Sequence, residues 1–150
     1  MEEMILQAKA ITTLQLAKPS ISKLVKLKDP SGLVVKIFLR GEGEKPLKLM
    51  CEESWCEPGT WEYDFNSLAD RKAKLADRLG MSSREVILNH PELRKQDDVP
   101  WYGSIIVGPY VISVSGFDLE HQDDAVCYLV GSILKMLTED FDVEAGRKLS

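Results

Sequence analysis

The chain opens with apolar side chains at Met4, Ala8, Ile11 and Leu14. Steps of three and four residues place them on one stripe of a helix, and Pro19 marks an expected stop, so a first amphipathic helix is predicted over residues 2–17. The pattern then changes. Two apolar-rich runs, residues 21–27 and 33–39, flank Asp29-Pro30-Ser31-Gly32. Asp bonds its own backbone, Pro fixes φ and Gly accepts positive φ, so this segment predicts a β-hairpin. Residues 41–46 (GEGEKP) predict another turn and residues 47–52 a third strand. The stretch from Glu53 to Tyr63 holds Trp55, Trp61, Pro58 and Gly59 and is expected to be an ordered loop.

The second half is punctuated more sharply. Asp64 can cap a helix carrying Leu68, Ala69, Ala73, Leu75, Ala76 and Leu79, and Gly80 can end it in the left-handed conformation. Ser82 followed by Glu85 is a capping-box pattern, which starts a short helix through Val86, Ile87 and Leu88 that Pro91 ends. Residues 92–100 are polar and predict a mobile loop. Residues 101–107 and 110–115 predict two strands joined by Gly108-Pro109, where Gly supplies positive φ at the first central position of a type II′ turn. Ala125, Leu129, Val130, Ile133, Leu134 and Leu137 form the expected inner stripe of a last helix, with a polar tail beyond Phe141 expected to fray. Hairpins with intervening helices predict an α+β domain, an antiparallel sheet of about five strands with helices packed on it.

Composition narrows the role. The 150 residues fit a single domain, 1–150, with its own core. A formal net charge of −5 disfavours nucleic-acid binding, which needs clustered Lys and Arg against phosphates. The nearest basic run, Arg71, Lys72, Lys74 and Arg78, is interrupted by Asp70 and Asp77 and suits a solvated helix face. The start MEEMILQAKA lacks the apolar run of a leader, and no stretch has the ~20 apolar residues of a membrane span. A cytoplasmic protein with no membrane partner is therefore expected. Three cysteines, Cys51, Cys56 and Cys127, are expected as free thiols, Cys127 in the core. No second Cys/His pair follows Cys51 and Cys56 at zinc-site spacing, so no metal site is assigned.

Two motifs carry a resemblance. The first is Asp64-Phe65 followed by Arg71, Lys72, Lys74, Ala76, Arg78, Gly80, Ser82 and Ser83; the second is Val114-Ser115-Gly116 followed by the acidic turn Glu120-His121-Gln122-Asp123-Asp124. With this order of elements, the chain resembles the haem-binding-protein-like superfamily (HbpS-like and GlcG-like domains). More narrowly it is similar to a bacterial and fungal branch with an R-K-x-K-x-A-x-R-x-G-x-S-S helix motif. The match covers about residues 64–137. Asp124 stands where that branch often has His, and Ser113 where the superfamily has Gly. The resemblance implies a profilin-like layered fold and homo-oligomers, and some relatives bind haem. No activity is settled for the branch.

Candidate chemistry follows from the same residues. Arg71, Lys72, Ser82 and Ser83 could form an anion or ligand site at the start of the short helix. Against that, Ser82 is a capping serine and Arg71 is expected to pair with Asp123 or another carboxylate across an interface. Gly116 lets the backbone turn sharply beside Ser115, but no G-x-S-x-G elbow and no local histidine make Ser115 a nucleophile, so no catalytic residue is assigned. His121 or His90 could ligate haem iron, with Lys72 or Arg71 meeting a propionate; an exposed or capping role is the competing reading. Trp55, Trp61 and Trp101 suit either an interface or burial under a loop. The expectation is a non-enzymatic, homo-oligomeric binding or adaptor protein with itself, and in its adaptor role another protein, as partner. The alternative is a haem or tetrapyrrole binder, and the candidate ligand-binding residues are Arg71, Lys72, Ser82, Ser83, Ser115, Gly116 and His121.

Overall fold

The computed structural model describes residues 2–41 and 45–144. Four helices, α1 (Glu2–Lys28), α2 (Phe65–Leu79), α3 (Ser83–Asn89) and α4 (Glu120–Glu144), surround strands β1 (Leu33–Leu39), β2 (Lys48–Trp55), β3 (Ser104–Val107) and β4 (Tyr110–Ser115). The α+β class and antiparallel sheet expected from the sequence are present, with four strands in the order β2-β1-β4-β3.

The missing fifth strand is residues 21–27, which continue α1. Ile21 is fully buried and Leu24 and Val25 pack with it, extending the stripe of Ala10, Leu14 and Ala17 at the same helical spacing. Pro19 sits inside the helix on its exposed side. The backbone bond it forfeits would have used the Gln15 carbonyl, which water can serve there. One buried stripe across the whole helix therefore outweighs the proline. Asp29-Pro30-Ser31-Gly32 follows the end of α1 and is not a hairpin turn: Asp29 adopts φ +50 and its N–H donates to the Val25 carbonyl at 2.8 Å.

The sheet has helices on both faces. Leu33, Val35 and Ile37 of β1 and Tyr110, Ile112 and Val114 of β4 join α1 and α4 in the main core. The alternate residues face α2, where Phe38 and Val111 meet Ala73 and Ala76, and Val34 meets Phe65 and Ala69. Burial on both faces explains why β1 reads as an almost unbroken apolar run. The central pair is in register at Ile37 with Ile112, and a bulge at Ile37/Phe38 interrupts β1 against β2.

Most local signals in the second half act as expected. The Asp64 carboxylate accepts from the Ser67 N–H at 3.1 Å, Gly80 ends α2 at φ +67, and Ser82 Oγ accepts from the Glu85 N–H at 3.1 Å. Gly108 has φ +54 in the β3–β4 turn, and β3 begins at Ser104 rather than Trp101. On α4 the buried stripe is Val126, Cys127, Val130 and Leu134, while Ala125 is exposed and Leu129 and Ile133 only half-buried. Part of the turn at 41–46 (residues 42–44) and the tail from residue 145 lie outside the described residues. Among the described residues, no helix is long and apolar enough to cross a membrane.

Candidate functional site

The Arg71–Ser83 motif and the Val114-Ser115-Gly116 motif meet. Lys72 projects from α2 onto the end of β4, 2% exposed, and donates to the Val114 carbonyl at 2.9 Å and to Asp123 Oδ2 at 3.2 Å. Asp123, in the first turn of α4, uses Oδ1 to accept from the Phe117 N–H at 3.0 Å. Burial pushes its carboxyl above the usual range, against the opposing pull of Lys72 and the backbone donors of Phe117 and Gly116. One ion pair thus ties a helix, a strand end and a helix start.

Gly103 is built around that pair. It adopts φ +123, and a β-carbon there would lie 2.6 Å from the Val114 carbonyl oxygen and 2.8 Å from Lys72 Nζ. Its carbonyl accepts from the Val114 N–H at 2.8 Å. Sequence reasoning passed over Gly103, and its only signal was a glycine before a strand.

The serines have divided roles. Ser83 Oγ accepts from the Ser104 N–H at 3.0 Å, and Ser104 Oγ donates to the Lys72 carbonyl at 2.8 Å. Ser113 Oγ donates to the Ala69 carbonyl at 2.6 Å. Ser83 links α3 to β3, and Ser104 and Ser113 link the sheet to α2. Ser115, 2% exposed, lines a cleft of about 460 Å³ between the start of α2 and the ends of β4 and the 101–103 segment, and its hydroxyl has no hydrogen-bond partner among the described residues.

Arg71, Lys72, Ser115 and Gly116 line this cleft together; Ser82, Ser83 and His121 do not. The proposed Arg71–Asp123 pairing is replaced by Lys72–Asp123. Arg71 is exposed, because it lies on the outer side of α2, and its guanidinium donates to the Asp97 carbonyl at 2.7 and 3.2 Å. Arg78 forks onto Asp98 at 2.6 and 2.8 Å, and Val99 is fully buried. The 92–100 segment, expected to be mobile, is therefore anchored by two arginines of α2 and one buried valine. His121 is exposed, and His90 lies between Glu85 and Glu92, 3.6 and 3.8 Å away.

Asp124 is the one buried side chain with an unpartnered oxygen among the described residues, Oδ1; its Oδ2 stands 3.8 Å from Arg84. Burial raises its carboxyl. Cys51 is half-buried, with its thiol pushed up to about 12 by burial; Cys56 is exposed; Cys127 is in the core. Among the described residues no group of three His, Cys, Asp or Glu is placed to hold a metal ion.

On the opposite side of the sheet, the outer surface of α1 is unusual. Met4, Ile5, Ala8, Ile11, Thr12, Gln15 and Leu16 are all exposed, and Lys9 is the only charged residue from 4 to 17. Glu2 and Glu3 stand in the first turn, and the basic residues Lys18, Lys23, Lys26 and Lys28 fill the second half of the helix. Trp55 is tied inward by its Nε1–H to Ser22 Oγ at 2.9 Å, and Trp61 packs on Phe65, so only Trp101 presents a largely exposed ring. No protein-family model, curated protein or solved structure matches this chain.

Proposed function

We propose that this protein is a non-enzymatic, homo-oligomeric binding or adaptor module of the cytoplasm, assembled through the outer face of α1. The observation that carries the reading is the exposed set Met4, Ile5, Ile11 and Leu16 on a stretch whose one charged residue is Lys9. Depletion of charge in the centre of a patch with charge at its margin is the composition of a protein interface. The occupant is a second copy lying antiparallel. Each acidic first turn then meets the partner's basic last turn, and the opposed helix dipoles add to the attraction. A helix of 27 residues offers about 40 Å of contact length.

A binding role is favoured over catalysis by the state of the polar groups. Lys72 and Asp123 spend their hydrogen-bonding capacity on each other and on backbone. The kinship with haem-binding-protein-like domains, and the profilin-like layering it implies, belong to the same proposal. They are supported by the order of elements and by the meeting of the two motifs at Lys72 and Val114.

Light scattering over a range of concentrations tests the assembly. The expected result is a dimer or larger species that Ile11→Asp with Leu16→Asp converts to a folded monomer. A wild-type chain that stays monomeric at every concentration overturns the proposal. A haemin titration tests the other branch: a saturable Soret band at one equivalent, lost in His121→Ala or His90→Ala, would replace the adaptor reading with a haem-binding one.

A further inference from the structure

We propose that the cleft beside Ser115 binds a small organic cation. Ser115 lines the cleft, is 2% exposed, and its hydroxyl has no protein hydrogen-bond partner among the described residues. The residue is otherwise enclosed, so its hydroxyl is met from the cleft, where a ligand hydroxyl can take the place of water as its partner.

The charge of the ligand follows from which charges remain free. Two helix starts border the cleft, and free helix starts attract anions. At the start of α2 the Asp64 carboxylate already accepts from the Ser67 N–H, and in the first turn of α4 the Asp123 carboxylate stands beside the cleft, accepting from the Phe117 N–H ahead of the helix. Lys72 is spent on Asp123, while Arg71 is held by the Asp97 carbonyl and keeps its charge on the rim of the cleft. Glu120 accepts from the Tyr102 N–H at 3.0 Å. Asp118 is left exposed on the cleft wall, with no partner among the described residues. Four carboxylates against two cations give the lining a net charge of −2.

The walls supply a second preference. Tyr63, Trp101 and Phe117 come from three separate segments, and Tyr63 and Trp101 are 63% and 47% exposed. Aromatic faces beside an unpaired carboxylate attract alkylammonium groups through the ring quadrupole. A ligand with an ammonium head and a hydroxyl or similar group a few bonds away satisfies Asp118, the rings and Ser115 together.

Calorimetric titration with choline and with benzyltrimethylammonium, each beside its uncharged carbon isostere, tests the assignment. Saturable binding of at least one cation is expected, with the isosteres at least about tenfold weaker. Asp118→Asn and Trp101→Leu should each weaken binding about five- to tenfold. Both residues are exposed, so these variants should fold, which their unfolding temperatures check. Ser115→Ala should weaken choline, which carries a hydroxyl, more than benzyltrimethylammonium, which does not. Absence of saturable binding by both cations, equal binding of the isosteres, or unchanged affinity in Asp118→Asn overturns the proposal. The cleft and α1 lie on opposite faces of the sheet, so the result is independent of self-association.

Discussion

The two faces of the sheet are held by different physics. On the α1/α4 face, large aliphatic side chains such as Ile21, Leu33, Ile37, Ile112 and Leu134 are fully buried against one another. On the α2 face the helix contributes the small residues Ala69, Ala73 and Ala76, and the sheet points Lys36, Ser113 and Ser115 inward. Lys36 is satisfied by Asp70 at 2.8 Å and Ser113 by the Ala69 carbonyl. Non-directional burial stabilises the first face, and directional bonds set the position of α2 on the second. A face positioned by directional bonds can leave one polar group, Ser115, open to a ligand, and the cleft lies on that face.

The largest expected break of this contrast is Lys72→Ala. It leaves Asp123 buried without its cation and should cost about 3–5 kcal/mol in denaturant unfolding. The double change Lys72→Met with Asp123→Leu sharpens the point, because replacing both charges by apolar groups of similar size should restore most of the loss. If the double variant is no more stable than Lys72→Ala, the ion pair is not the element that holds this face. Leu134→Ala, on the apolar face, should cost about 3 kcal/mol from lost transfer energy and the cavity left behind. Unlike Lys72→Ala, it should do so without disturbing choline binding.

A smaller effect is expected at the anchored 92–100 segment. The hydrogen bond from Arg78 holds the Asp98 carboxyl at about 2, below its ordinary 3.8. A carboxyl lowered by folding contributes stability above its unfolded value and loses it as pH falls through the folded one. Stability should therefore drop between about pH 4 and pH 2, and Asp98→Asn should flatten that part of the profile while costing about 1 kcal/mol at neutral pH. An unchanged acid profile in Asp98→Asn would remove Asp98 as its cause.

Signals that act within a few residues were legible in the sequence. Asp64, Gly80, Ser82 and Gly108 work through backbone groups one to four positions away, and all four do so here. Pro19 was a misleading signal for the same reason. Its local penalty was legible, whereas the offsetting burial of Ile21, Leu24 and Val25 depends on a sheet that forms later in the chain. The candidate site was half legible: Arg71, Lys72, Ser115 and Gly116 converge, and Ser82, Ser83 and His121 do not.

The sequence by itself determined the α+β class, the second-half caps and turns, and the motifs whose residues meet at the cleft. Each of these rests on short-range geometry or on a hydrophobic period. Tertiary structure alone decided that Lys72 rather than Arg71 takes Asp123, that Gly103 must lack a side chain, and that Ser115 is left unpaired. Adjacent residues on a helix point about 100° apart, so the choice between Arg71 and Lys72 is the rotation of α2 on the sheet. That rotation is set by packing among residues distant in the chain.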